Sequence, residues 1–411
     1  MIYDTTGTPV TLYDTTGTSH FGAAPSEPGP PTEQLDPAAL TELRHVVSHS
    51  AASRFSEDTP DGGVTLATRH HVRMPAKALG VRFGGLLATE QVKGRGWIIA
   101  YGANFPLTFN GQEVGEGQGY VLSDPLPDSL IVTPGMDIHV VWEAAPGSRV
   151  ATSGFLDPGA YARRTPGTWD GERPIMADGN ISLAPPQILG LTLPEAERTL
   201  SVGLIGDSFA QPGWGRRPLE QAGFAWADLS RWLEATPATR EPLAPRLGET
   251  GHTGFDVIIT AYGGNNSLDT LEAQHATHIA HWRWLAATGA RVACTTLHPY
   301  TSSTDNWATT ENQTITDREP ARIARNDWLR DGAPLHADYT PAEIGATGVM
   351  RIGEQGHPLA YPAFDVADVC ETSRNSGIWR TGWPVDGTHL HPSASDQIAP
   401  HLSAWVAAHL P

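Results

Sequence analysis

Cysteine is almost absent: Cys294 and Cys370 are the only two in 411 residues, so no disulfide framework organises the chain, although their spacing permits one bridge. No uncharged apolar run approaches the ~20 residues needed to cross a bilayer, which excludes a transmembrane helix. Lysine and arginine are scarce, 27 against 45 Asp and Glu, for a formal net charge of −18. With no Lys/Arg-rich run to neutralise phosphates, nucleic acid and anionic membrane are excluded as main partners. The N-terminus lacks a basic region followed by an apolar core, so no secretory signal is read there. Hydrophobic residues make up 39% of the chain, enough to bury cores. The length exceeds one ordinary core, so two domains with smaller attachments are expected.

The first residues repeat a short string, Tyr3-Asp-Thr-Thr-Gly-Thr8 and Tyr13-Asp-Thr-Thr-Gly-Thr18, in which Asp-Thr-Thr-Gly has turn chemistry. Two readings stand: a tail of two β-turns, or an attachment segment for a larger assembly. Pro25-Ser-Glu-Pro-Gly-Pro-Pro31 then reads as an extended linker. Pro37 to His49 has helical spacing, with Leu40, Leu43 and Val46 or Val47 on one face. From Gly63 to Arg149 the pattern changes to short alternating segments with glycine turns, such as Gly80–Gly84, Gly96–Tyr101, Pro106–Gly111, Tyr120–Asp124 and Met136–Trp142. Strands at that spacing indicate an antiparallel β-sandwich. Asp157 to Pro186 reads as a connecting excursion, and Ile188–Leu193 as a strand leading into the sheet that follows.

The second half is organised around Thr199-Leu-Ser-Val-Gly-Leu-Ile-Gly-Asp-Ser-Phe209. This apolar run stops at Gly206-Asp207-Ser208, as a buried parallel strand delivering a hydroxyl to its carboxyl end does. Glu220 to Glu234 then reads as an amphipathic helix with Leu229, Trp232 and Leu233 inward. Asp256 to Asn266 is a second buried-strand pattern ending Gly263-Gly-Asn-Asn266, Leu268–Ala287 a helix, and Arg291–Leu297 a third strand. Strands alternating with helices predict a doubly wound parallel sheet. Thr301 to Val385 is polar and irregular apart from a helical piece at Arg322–Leu329, a length of loop that is usually functional. Ser393–Leu410 reads as a closing helix, and Asp386-Gly-Thr-His389 stands just before it.

Serine is a poor nucleophile at neutral pH and needs a general base held in the right tautomer. His389 can supply the base, and Asp386, three residues earlier, can accept from its Nδ1. The serine, asparagine and histidine blocks in this order resemble the SGNH (GDSL) hydrolase family, from about Leu200 to the C-terminus. The resemblance implies a flavodoxin-like three-layer α/β/α catalytic domain, and a mechanism in which Ser208 attacks, His389 relays the proton and Asp386 orients the ring. It also implies oxyanion donors in the Ser208 N–H, the Gly223 N–H and the Asn265 side-chain amide. The preceding strands look like the jelly-roll accessory domain of some extracellular SGNH esterases. Two departures matter: the family's third block usually ends Gly-x-Asn-Asp where this chain has Asn266, and Ser208 and Gly223 lie unusually close in sequence.

The expected organisation is a tail and linker over 1–36, a β-sandwich accessory domain over 37–186, and a catalytic domain over 187–411 with an insertion at 301–385. Trp379 and Trp383, with Trp307, Tyr339 and Tyr361 in the same stretch, could stack on sugar rings or pack in a core. His389 and His391 with Asp386, or the histidines at 275, 278 and 281, could ligate zinc; a solvated histidine face is the preferred reading of the helix, and no metal or cofactor is expected. The expected substrate is an O-acetyl or short acyl ester of a carbohydrate or another small ester, with long-chain lipid second. The alternative role is a structural or receptor-binding part of an extracellular particle such as a phage tail, with homo-oligomer or virion assembly through the N-terminal segment. Because the base must be neutral and imidazole ordinarily titrates near pH 6.5, activity is expected to rise through about pH 6 to 8.

Overall fold

The structure, a computed structural model, describes residues 2–3, 9–10, 35–50, 55–84, 87–152, 162–167, 169, 171, 186–210, 216–231, 233–239, 242, 247 and 254–411. Met1–Pro37 and Ala38–Pro411 form two units. In the first, β1 (Ile2–Tyr3) pairs antiparallel with β2 (Pro9–Val10). Both Asp-Thr-Thr-Gly turns and the Pro-rich stretch lie outside the described residues.

The helix expected over 37–49 does not form. Pro37–Ala39 makes one 3-10 turn, and the chain then extends into β3 (Glu42–His45) and β4 (Val47–Ser50). Leu43, expected on an apolar helix face, is 41% exposed, while Val46 and Val47 are fully buried. The β-branched pair fits a pleated surface better than a helix, and Arg44 Nε donates to Asp256 Oδ1 at 2.6 Å. Local spacing is ambiguous here, and pairing with distant strands decides it.

There follow β5 (Phe55–Asp58), β6 (Val64–Val72), β7 (Ala76–Gly84), β8 (Gln91–Ala100), β9 (Ala103–Pro106), β10 (Gly115–Gln118), β11 (Tyr120–Leu122), β12 (Asp137–Ala144), β13 (Arg149–Thr152), β14 (Ala162–Pro166) and β15 (Gln187–Thr192). Strands β11-β7-β15-β3 make a four-stranded antiparallel sheet, so β15 pairs with β7 and β3 and not with the sheet that carries Ser208. Strands β10-β8-β12-β6 belong to the larger, 11-stranded sheet. Leu79, Val81 and Ile188 of the first share one core with Ile98, Val140 and Trp142 of the second.

The remaining elements are β16 (Ser201–Gly206), α1 (Arg216–Gln221), β17 (Ala225–Asp228), β18 (Val257–Ala261), α2 (Leu271–Ala286), β19 (Arg291–Cys294), β20 (Thr301–Ser303), β21 (Gln313–Ile315), α3 (Glu319–Arg330), α4 (Val366–Cys370) and α5 (Pro392–His409). Strands β17-β16-β18-β19 are parallel. They continue the larger sheet, because β4 pairs antiparallel with β6 and parallel with β17. The expected boundary between 186 and 187 therefore falls at the start of β15, inside Ala38–Pro411.

The period-two alternation of strands sends side chains to two faces. Val202, Leu204, Val257 and Ile259 pack with Leu219 of α1 and with Ile398 and Leu402 of α5. Ile205, Ile258 and Val292 pack with Ile279 and Trp282 of α2 and with Trp328 of α3. This half is three layers, helix on sheet on helix.

Two readings of the helices need correction. The segment read as a helix at 220–234 holds the buried strand β17, and Leu233, expected inward, is 76% exposed. Nor are the histidines of α2 solvated: His275, His278 and His281 are all buried. His275 stacks on Trp328 at 4.0 Å, and His281 Nε2 lies 3.0 Å from Thr260 Oγ1. Burial pushes the His275 imidazole down to about 4. Cys294 and Cys370 are free, buried thiols. Among the described residues no helix is long and apolar enough to cross a membrane, and no cluster of three or more His, Cys, Asp or Glu is gathered for a metal.

Candidate active site

Strand β16 ends against β18 so closely that a Cβ on Gly206 would lie 2.8 Å from the Ala261 carbonyl oxygen. The chain turns there, and the turn is fixed by Asp207. Its Oδ1 accepts from the Phe209 N–H at 2.9 Å, and its Oδ2 from the Gly264 N–H at 2.9 Å. Burial pushes this carboxyl up to about 6, against the pull of those backbone donors. Asp207 thus ties the turn that carries Ser208 to the glycine pair preceding Asn265.

Ser208 Oγ lies 2.9 Å from His389 Nε2, and His389 Nδ1 lies 2.7 Å from Asp386 Oδ2. An ionised carboxylate can only accept, so Nδ1 carries the proton and Nε2 is left to accept from the serine hydroxyl. The other Asp386 oxygen accepts from the His389 and Thr388 N–H groups at 2.7 and 3.0 Å. This Asp-x-x-His turn is therefore self-bracing. Two residues on, His391 is engaged elsewhere, since its Nδ1 accepts from the Ser393 N–H and caps α5.

Partial burial raises the Asp386 carboxyl, but the hydrogen bonds from the His389 ring and the two N–H groups outweigh it and hold it near about 2, below its ordinary 3.8. A depressed carboxylate stabilises the fold above its unfolded value, and that contribution is lost as pH falls through about 2. Asp386 is consequently held ionised at neutral pH. A kcat/KM profile should therefore show no ionisation attributable to Asp386 between about pH 4 and 9. One near pH 4 that disappears in Asp386→Asn would contradict the pairing.

Asn265 is exposed, and its Nδ2 donates to the Glu234 carbonyl at 3.0 Å, which leaves a second N–H on the amide. Asn266, standing where the family usually has Asp, still braces the loop: its Oδ1 accepts from the Thr236 N–H at 2.7 Å and its Nδ2 donates to Asp269 at 3.0 Å.

Gly223 is misassigned. It leads into β17 at the amino end, where its carbonyl accepts from Thr199 Oγ1 and Ala225 pairs with Ser201. Ser208 follows the other end of β16, roughly 20 Å away at the rise of an extended strand. The part of that loop beside Ser208 is Ser230–Arg231, where the Arg231 N–H donates to the Gly206 carbonyl. No glycine marks it, so the sequence carries no signal for it.

Trp379 and Trp383 are also corrected, being 0% and 7% exposed. Both belong to the core beneath the Asp386–His389 turn. Trp379 Nε1 donates to the Gly387 carbonyl at 3.1 Å, and its backbone is paired with the Gln313 side chain. The Trp379 ring positions the turn, and both rings are buried away from a sugar. Tyr339 is likewise engaged, under the Arg283 guanidinium at 4.1 Å.

No protein-family model and no curated protein matches the chain. Solved structures do. The solved structures it is similar to are SGNH/GDSL hydrolases and carbohydrate esterases. A GDSL-like lipase from Bacteroides thetaiotaomicron is 11% identical with a TM-score of 0.34, over 51% of this chain and 86% of that one. A peptidoglycan O-acetylesterase is 9% identical with a TM-score of 0.38, over 89% and 77%. A family two carbohydrate esterase from Clostridium thermocellum, in complex with cellohexaose, is 10% identical with a TM-score of 0.30, over 85% and 93%. Scores this low carry no weight for the chemistry, which rests on the geometry of the site.

Proposed function

We propose that this chain is a serine esterase acting on O-acetyl or other short acyl esters of a carbohydrate. The observation that carries the reading is the unbroken hydrogen-bonded series from Asp386 through His389 to Ser208. Ser208 Oγ attacks the ester carbonyl while His389 Nε2 takes its proton, and Asp386 stabilises the imidazolium that results. The Ser208 N–H and the Asn265 amide donate to the developing oxyanion. His389 then gives its proton to the departing alcohol, leaving an acyl-serine. Water, deprotonated in turn by His389, attacks that ester, and the acid leaves as Ser208 regains its proton.

A short acyl group is favoured because, among the described residues, the apolar side chain next to Ser208, Phe209, is buried in a cluster with Leu297 and Tyr300. Acetyl, butyryl and long-chain p-nitrophenyl esters, run beside an acetylated polysaccharide, test this. The acetyl ester should give the highest kcat/KM; a maximum at the long-chain ester would make the protein a lipase instead.

The β-rich residues 37–186, expected as a jelly-roll-like accessory domain, would include β15 as well and be joined through β4 to the parallel strands of the catalytic part expected over 187–411. The repeated Tyr-Asp-Thr-Thr-Gly-Thr string and the Pro-rich linker after it support a role in attachment to a larger assembly such as a virion. Deletion through Pro37 should leave a soluble esterase that no longer joins the assembly; unchanged assembly would reject that role.

A further inference from the structure

Arg318 is a cation placed where electrostatics disfavours one. It immediately precedes α3, at the positive end of the helix dipole, and makes no side-chain cap hydrogen bond. Among the described residues no carboxylate pairs with it; Arg283 and Arg380, which also lie over aromatic rings, are alike in this, but neither adjoins the serine and asparagine blocks. The adjacent acid, Glu319, is already committed, its Oε1 to the Tyr300 N–H at 2.6 Å and its Oε2 to Arg322 Nε at 2.7 Å.

Its location is beside the candidate active site. Arg318 Nη1 donates to Ser267 Oγ at 3.2 Å, two residues beyond Asn265. Its guanidinium carbon lies 5.4 Å from the centre of the Tyr300 ring. That ring is 5.6 Å from Phe209, the residue after Ser208, and the Tyr300 hydroxyl donates to the Gly264 carbonyl at 3.2 Å. The guanidinium therefore adjoins the packing of both the serine turn and the asparagine block. It is only partly buried, and one of its five N–H groups is spent on Ser267, so a planar fork remains for an anion.

We propose that Arg318 binds a carboxylate on the alcohol part of the ester, so that the preferred substrate is an acylated acidic sugar. This rests on the esterase reading. Arg318 is then a specificity residue: it helps to hold the acceptor while the reacting atoms stay with Ser208, His389 and Asn265.

The test uses the full chain, with an O-acetylated methyl galacturonoside and its neutral C6 carboxamide as paired substrates. At low salt the acid should be preferred by about tenfold in kcat/KM, the order expected of one charge-assisted hydrogen bond, chiefly through KM. That preference should shrink as salt is raised to about 0.5 M. Arg318→Gln should bring the ratio of acid to amide to near one, Arg318→Lys should keep part of it, and Arg351→Gln should leave it as in the wild type. Equal turnover of the two substrates by the wild type, or a ratio that survives Arg318→Gln, overturns the proposal. If Arg318→Gln fails to fold, Arg318→Lys carries the comparison, and a salt-dependent ratio unchanged from the wild type in it overturns the proposal. Absence of turnover on both substrates, with no covalent labelling of Ser208, would instead be a failure of the esterase reading.

Discussion

Replacing Ser208 with alanine is expected to lower kcat/KM for an acetyl ester by roughly 10⁴- to 10⁶-fold, and His389→Ala by the same order. The double variant should lose little more than either single one, because a nucleophile without its base and a base without its nucleophile are equally idle. Folding should be nearly untouched, since what the Ser208 hydroxyl loses is its hydrogen bond to His389. Initial rates on p-nitrophenyl acetate and a thermal melt check both halves. Effects of the two replacements that multiplied would mean that they act separately.

Gly387→Ala should be nearly as damaging, though Gly387 touches no substrate in this account. Its φ is +78°, and a Cβ there would fall on the Thr301 carbonyl oxygen and 2.6 Å from Trp307 Cζ2. Thr301 cannot easily yield, because its N–H donates to the Gly387 carbonyl at 3.0 Å and its hydroxyl accepts from Trp307 Nε1 at 2.8 Å. The turn between Asp386 and His389 must therefore move, carrying the imidazole away from Ser208. A loss of about 10²-fold or more in kcat/KM is expected, with destabilisation of about 2–4 kcal/mol. Gly382→Ala is the control: its φ of +72° is similar, but nothing lies within 4 Å of its added Cβ. It should cost about 1 kcal/mol and spare activity. Wild-type rates for Gly387→Ala would show that β20 does not hold the turn.

The contrast between Ser208 and Gly223 shows what a single sequence can and cannot reveal here. Ser208 and the Asp386–His389 pair are local patterns: an apolar run broken by a turn, and an acid three residues before an imidazole. Each is readable because its geometry is set within a few residues. Gly223 is misread because its place depends on which end of β17 it occupies, and β17 is itself hidden in a segment of helical spacing. Trp379 and Trp383 stand only a few residues from Asp386 in sequence, yet that nearness does not say on which side of the turn the rings lie. The buried face of α2 escapes the sequence because Trp328, Thr260 and Pro237, which meet its histidines, come from other elements. Arg318 stands out only once Ser267 and Tyr300 are brought against it.

Labelling with a fluorophosphonate, followed by mass spectrometry of the digested protein, decides whether Ser208 is the nucleophile. The phosphonyl group should be found on Ser208 alone, and it should be absent from Ser208→Ala and strongly slowed in His389→Ala. Labelling at another residue, or labelling that persists unchanged in Ser208→Ala, would contradict the account.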